Sequence, residues 1–233
     1  MTSVFHRRAA PLVAVVGALA LQACSISREI RPVGQGNWAA GLSFGGPGFT
    51  NLGGWIPTPV VSTYARYGLL PRLDLDFALD LTPARIQGTD VGLAYEFVEQ
   101  NGAIPAIMAG GRYYFFVNGL GVTPDIDPNT ASKYSLEPIG FEETYVNASW
   151  KIGRPVLIWA GLDLFAQAEK AIFLPGVQVG IEYRWSHVGL ALEVKDEGLG
   201  SNQQFSLVSF AGPGHYGAIA AQIGLNIYPG GTL

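Results

Sequence analysis

Three groups of residues in this sequence have the types and spacing to do chemistry. Asp74, Asp76 and Asp80 recur at alternate positions of the stretch 73–81, Leu-Asp-Leu-Asp-Phe-Ala-Leu-Asp-Leu. An extended chain gathers those carboxylates on one face and Leu73, Leu75, Phe77, Leu79 and Leu81 on the other, whereas a helix would scatter them. A column of acids of this kind favours cations. A second group is the histidines His187 and His215. His215 follows a stretch holding Ser201, Ser206 and Ser209, with Asp196 and Glu197 before it, the residue types of a Ser-His-acid hydrolase. Nothing in the spacing fixes their geometry and a lone loop histidine is ordinarily solvated, so no catalytic residue is assigned. The third group, Asp125-Ile-Asp127-Pro-Asn129, places oxygens at alternate positions as calcium loops do, but Pro128 and the missing glycine and distal glutamate make it a turn. Gly45-Gly46-Pro47-Gly48 and Gly110-Gly111 precede no helix, which removes a phosphate-binding reading. Neither metal nor cofactor is expected.

The elements that must position these groups are strands. From Asn37 onward, apolar or alternating segments are punctuated by Gly, Pro and Asn turns, predicting ten strands at 37–47, 57–68, 71–82, 88–99, 103–118, 140–152, 155–167, 175–185, 187–197 and 214–228. Parity sorts their side chains. In 175–185, Val177, Val179, Ile181, Tyr183 and Trp185 oppose Gln178, Glu182 and Arg184; in 187–197, Val188, Leu190, Leu192 and Val194 oppose His187, Glu193 and Lys195. One polar face then carries Arg66, Arg72, Asp74, Asp76, Asp80, Asp90, Glu96, Arg112, Glu143, Lys151, Asp163, Glu182, Arg184, Glu193 and Lys195. The predicted connections alternate between short (68–71, 100–102, 153–154, 186) and long (48–56, 83–87, 119–139, 168–174, 198–213).

Composition narrows the class. The 233 residues are 48% hydrophobic and only 14% charged, with 31 glycines, yet beyond the N-terminus no apolar run is long enough for a membrane helix. Grease without spanning helices suits a transmembrane β-barrel, whose lipid-facing and lumen-facing residues alternate. The formal charge of −4 argues against a nucleic-acid partner. The single cysteine excludes an intrachain disulfide.

That cysteine lies in an N-terminus with the parts of a secretory signal: His6, Arg7 and Arg8, the apolar Pro11–Leu21, then small residues. Leu21-Gln22-Ala23-Cys24 resembles the lipobox of bacterial lipoproteins, departing from it at Gln22. The resemblance implies a signal peptide over 1–23, lipidation of Cys24, and an outer-membrane destination, since Ser25 stands where the retention signal would be Asp. Residues 24–36 then read as a lipidated polar tether, and 37–233 as the barrel.

The barrel region resembles the small outer-membrane β-barrel proteins of Gram-negative bacteria, through the Tyr67-Gly-Leu-Leu-Pro-Arg-Leu-Asp-Leu75 hairpin, the alternating strands and the sorted connections. The resemblance implies a closed antiparallel up-and-down transmembrane barrel of about ten strands, both ends in the periplasm. Returning strands would finish at the headgroups with Tyr67, Phe97, Trp150, Tyr183, Trp185 and Tyr228. The chain departs from many such barrels in ending Tyr228-Pro-Gly-Gly-Thr-Leu233, without a terminal aromatic for the assembly machinery. Implied partners are membrane lipid, lipopolysaccharide, the barrel-assembly machinery and a surface partner at loops 119–139 and 198–213.

The expected role is structural or surface interaction, with a lumen filled by paired charges, because ten strands enclose little space. The rival readings are a narrow cation or small-solute channel, an outer-membrane lipid hydrolase or acyltransferase, and a soluble periplasmic lipoprotein barrel with Leu, Val and Ile lining an apolar-ligand site.

Overall fold

The computed structural model describes residues 26–46, 48–49, 56–57, 60–81, 86–118, 139–167, 172–197 and 218–231. The alternating segments form β1 (Trp38–Gly45), β2 (Gly48–Phe49), β3 (Ile56–Pro57), β4 (Val60–Leu70), β5 (Leu73–Leu81), β6 (Ile86–Val98), β7 (Ala106–Asn118), β8 (Ile139–Ile152), β9 (Val156–Gln167), β10 (Ile172–Trp185), β11 (Val188–Glu197) and β12 (Ala218–Ile227). β2 and β3 make a separate two-stranded ribbon within the connection from β1 to β4. The other ten strands each pair antiparallel with their sequence neighbours, and β1 pairs with β12 to close the ring. The fold is thus the closed ten-stranded up-and-down antiparallel barrel that the alternation predicts. Closure leaves the ten-stranded sheet without an open edge, as lipid requires.

Which face points inward is settled by β5. Asp74, Asp76 and Asp80 are 0, 1 and 2% exposed, while Phe77 and Leu79 are each 48% exposed. A soluble barrel would show the reverse, so the reading with an apolar interior for an apolar ligand is overturned by the charged one observed. The same inversion runs through β10 and β11, where Val179, Ile181, Tyr183, Leu192 and Val194 are exposed and Gln178, Glu182, Arg184, Glu193 and Lys195 are buried. Ten strand residues rise about 34 Å, and a tilt of about 40° leaves about 26 Å along the axis, the height of an outer-membrane apolar band.

Glycine makes room for this interior. Gly92 lies opposite Asp76, Gly176 opposite Asp163, Gly110 opposite Tyr145 and Gly180 opposite Trp159 in the strand registers. A Cβ at Gly92 would stand 2.3 Å from Asp76 Oδ2, and one at Gly180 would stand 2.1 Å from the Trp159 ring. Large lumen side chains therefore lie across the bare backbone of the next strand, which is how a narrow barrel accommodates them.

The connections differ from their prediction in detail. Two-residue turns at 71–72 and 186–187 and a three-residue turn at 153–155 join strands at one end, but the connection at 99–105 runs to seven residues, closed by an Asn101–Ile104 bridge. At the opposite end 82–85 and 168–171 are short, because β6 and β10 begin earlier than predicted. Length is therefore concentrated in three connections, 46–59, 119–138 and 198–217.

Candidate functional site

The site is the barrel lumen, and the sequence reading of residues 24–36 misses its principal occupant. Ile26–Val33 is not a tether outside the barrel but runs buried up its interior, because its polar groups find partners on the wall that the sequence does not juxtapose. The turn into the lumen uses Gly34 (φ 82°) and Gly36 (φ 76°), in the left-handed region open to glycine. Gly36 N–H donates to the Gly68 carbonyl at 2.9 Å and Gly68 N–H to the Asn37 carbonyl at 3.0 Å. A Cβ at position 68 would stand 2.0 Å from the Gly34 carbonyl oxygen, so the turn is seated directly on β4.

The contacts climb in order. Val33 N–H donates to Asp74 Oδ2 at 3.0 Å, next to the 71–72 turn. Arg31 donates to Ser149 Oγ (2.9 Å) and Gln100 Oε1 (2.5 Å), and Ser149 Oγ donates to the Ile30 carbonyl (3.2 Å). Arg66 donates to the carbonyls of Arg28 and Arg31 and to Asp74 Oδ2, each at 2.5 Å. Glu29 pairs with Arg112. Arg28 lies 2.6 Å from Asp90 Oδ1 and 3.4 Å from Asp76 Oδ1, with its guanidinium 5.5 Å over the Tyr64 ring. Ser27 N–H donates to Glu193 Oε1 (3.0 Å) and its hydroxyl to Gln178 Oε1 (2.6 Å), at mid-barrel. Ile26 and Ile30 pack with Tyr64, Leu157 and Trp159.

Around this segment the wall residues form three groups. Arg112 reaches Glu143 at 3.0 Å, Asp76 at 3.6 Å and the Tyr114 hydroxyl at 3.2 Å, besides Glu29. Lys195 stands 3.5 Å from Asp163 and 3.7 Å from Glu143. Glu182 and Arg184 pair at 2.7 Å, and Glu182 Oε1 accepts from the Tyr228 hydroxyl (2.7 Å) and Asn226 Nδ2 (3.0 Å). Asp80 takes the Ser62 hydroxyl on one oxygen; its Oδ2, like Asp90 Oδ2, makes no hydrogen bond. Glu96 is buried near the short-turn end. Among the described residues the buried carboxylates are ten and the buried Arg and Lys five, so the interior is electronegative.

Several predicted positions differ. Arg72 occupies the turn before β5 and pairs with Glu99 at the water-exposed rim, because the hairpin turn takes it out of the alternation. Lys151 is half-buried at the end of β8. Tyr67, Phe97, Tyr183 and Trp185 face outward, with Tyr183 and Trp185 edge to face at 4.8 Å; Trp150 is half-buried and its indole N–H donates to the Ala103 carbonyl. Tyr228 is a correction: it is 7% exposed and stands in the lumen under Arg184, whose guanidinium lies 4.7 Å over its ring. β12 ends at Ile227, but residue 228 keeps the inward parity of Ala220, Gln222 and Gly224, which puts it on the lumen side. The sequence reading also misses Arg28 and Glu29, and an aromatic patch of Tyr114, Phe116, Phe141 and Phe165 near the long-connection end. Tyr114 and Phe116 were legible in principle, since they share the parity of Arg112.

Ser186 Oγ and His187 Nδ1 lie 2.7 Å apart on an exposed turn, sequence neighbours rather than a buried nucleophile and base. His215, Ser201, Ser206, Ser209, Cys24, the acidic turn 125–129, and residues 119–138 and 198–213 of the two loops lie outside the described residues. Among the described residues no group of three or more His, Cys, Asp or Glu is arranged to hold a metal.

No family model and no curated protein matches the chain. Solved structures with some likeness include a de novo designed transmembrane β-barrel (13% identity, TM-score 0.36, covering 83% of this chain and 96% of that one). They also include KdgM porin (9%, 0.44, 81% and 98%) and NanC porin (10%, 0.42, 82% and 98%). On its own geometry, a closed ten-strand sheet charged within and apolar without, the chain is a transmembrane β-barrel of the outer-membrane type.

Proposed function

We propose that this protein is a non-enzymatic barrel of a Gram-negative outer membrane whose lumen is shut and whose role is structural or surface interaction. The observation that carries the reading is the occupied lumen: Ile26–Val33 and the ion pairs of Arg28, Arg66 and Arg112 fill the space a solute would need. The short-turn end, with exposed Tyr67, Phe97, Tyr183 and Trp185, faces the periplasm in this reading. The connections 119–139 and 198–213 then stand at the cell surface, available to lipopolysaccharide or a protein partner. The test is twofold. The protein should fractionate with the outer membrane and require detergent for extraction, and the full-length chain reconstituted in planar bilayers should give no steady conductance. Release into the aqueous phase, or a persistent open current, would refute it.

Lipidation of Cys24 carries a constraint. Ile26 sits at mid-barrel, and the two residues back to Cys24 reach only about 7 Å when extended. An acyl group in the periplasmic leaflet and an occupied lumen therefore compete for the same stretch of chain. The intact mass of the membrane-extracted protein, with Cys24→Ala as the control, shows which state the cell makes.

A further inference from the structure

We infer that Ile26–Val33 is a removable cork, and that the wall it leaves behind is a cation-selective pore. The inference rests on the reading of a barrel that is closed as it stands, and adds what closes it.

Four observations support it. First, the segment takes no part in the ladders that close the barrel: the β1 pairings with β4 and β12 begin at Trp38 and Ala40, beyond the seated turn at Gly34–Asn37. Withdrawal therefore leaves the sheet intact and a fixed pivot at its base. Second, apart from the Ser149 carbonyl, which accepts from Arg31, the hydrogen bonds that hold the segment run to wall side chains, those of Asp74, Arg66, Asp90, Arg112, Gln100, Ser149, Glu193 and Gln178, and each is a group that water can satisfy in its place. The segment's apolar grip is three side chains: Ile26 and Ile30 on Tyr64, Leu157 and Trp159, and Val33 on Ala39 and Tyr228 beside the pivot.

Third, the buried wall by itself carries nine carboxylates against four cations, because Arg28 and Glu29 leave with the segment. In a narrow low-dielectric conduit such an excess recruits small cations and repels anions. Fourth, the acids that would line the vacated path are spread along its height, from Asp74 near the short turns through Asp76 and Asp90 to Asp80, and the last two already keep an oxygen without a hydrogen bond. Sites in series, none deeply coordinated, are what conduction needs.

The experiment compares single-channel recordings of the full chain, a chain lacking residues 26–33, and a full chain carrying Arg28→Glu, each first shown to be a folded barrel by heat-modifiable mobility. The full chain should be silent. The deletion should give steps with a reversal potential toward the potassium equilibrium in a KCl gradient, and Asp76→Asn with Asp90→Asn in the deletion should reduce that selectivity severalfold. Arg28→Glu sets a third carboxylate against Asp76 and Asp90 and should give intermittent openings, at least tenfold more frequent than in the parent. A folded deletion that is silent or anion-selective overturns the cork while leaving the closed-barrel reading in place. A full chain that conducts like the deletion instead defeats that reading itself. Should the deletion fail to fold, Arg28→Glu decides: openings support the cork, and silence from a folded barrel, or failure of both chains to fold, shows a fixed part of the structure and overturns it.

Discussion

The two sides of the lumen are built differently. On β8–β12 the charges answer one another: Glu182 pairs with Arg184 on the same strand, Lys195 serves Asp163 and Glu143, and Gln178 donates to Asn147 at 2.6 Å. On β4–β6 the acids outnumber what the wall supplies. Arg66 answers Asp74, but Asp90 takes its cation from Arg28 of the N-terminal segment, and Asp76 shares Arg28 with Arg112 of β7. Both sides bind the segment, β8–β12 through Ser27 on Glu193 and Gln178 and β4–β6 through Arg28 on Asp90 and Asp76, but only the second takes a cation from outside the sheet. A buried charge is tolerable only when paired, so the segment is held where the wall is least self-sufficient.

Substitutions can break or sharpen this contrast. Arg112→Met should have the largest effect, because Glu29, Asp76 and Glu143 lose a partner together; a loss of about 3–5 kcal/mol is expected in urea unfolding of the micelle-embedded barrel. Arg28→Ala should follow at about 3 kcal/mol, since Asp90 and Asp76 are left facing each other. Adding Asp90→Asn should recover part of that cost, and a double-mutant cycle showing no coupling would mean that Arg28 does not serve Asp90. Glu182→Gln, on the self-paired side, should cost only about 1–2 kcal/mol, because the amide oxygen still accepts from Arg184 or Tyr228. An equal cost for Glu182→Gln and Arg28→Ala would erase the distinction between the sides. Arg72→Ala should be smallest, about 0–1 kcal/mol, because the Arg72–Glu99 pair sits in water at the rim.

The sheet was legible because its alternation is a local property. Leu73–Leu81 declares two faces without reference to any other strand, and closure then selects which face is inside. The lumen was legible only as far as parity carries. Arg72 lies in the turn just beyond a strand end, where the period of two no longer binds it, whereas Tyr228 follows the inward parity of β12, so its place in the lumen was readable from Ala220, Gln222 and Gly224. The path of Ile26–Val33 was not legible at all: Ile26, Ile30 and Val33 stand at i, i+4 and i+7, but eight residues with Pro32 among them specify no element, and their burial depends on meeting Asp74, Asp90, Glu193 and Ser149 from four different strands. So short and polar a segment is ordinarily read as solvated, and only an interior that is itself polar reverses the rule.

The central claim, that the N-terminal segment fills a charged lumen, is tested most directly by the reactivity of a cysteine at position 30. In a Cys24→Ala chain folded in liposomes, a membrane-impermeant maleimide applied to both sides should label Ile30→Cys at least a hundredfold more slowly than Gly102→Cys in the exposed 99–105 connection, and equally fast once both are unfolded. Equal labelling in the folded protein would place the segment outside the barrel and contradict the account.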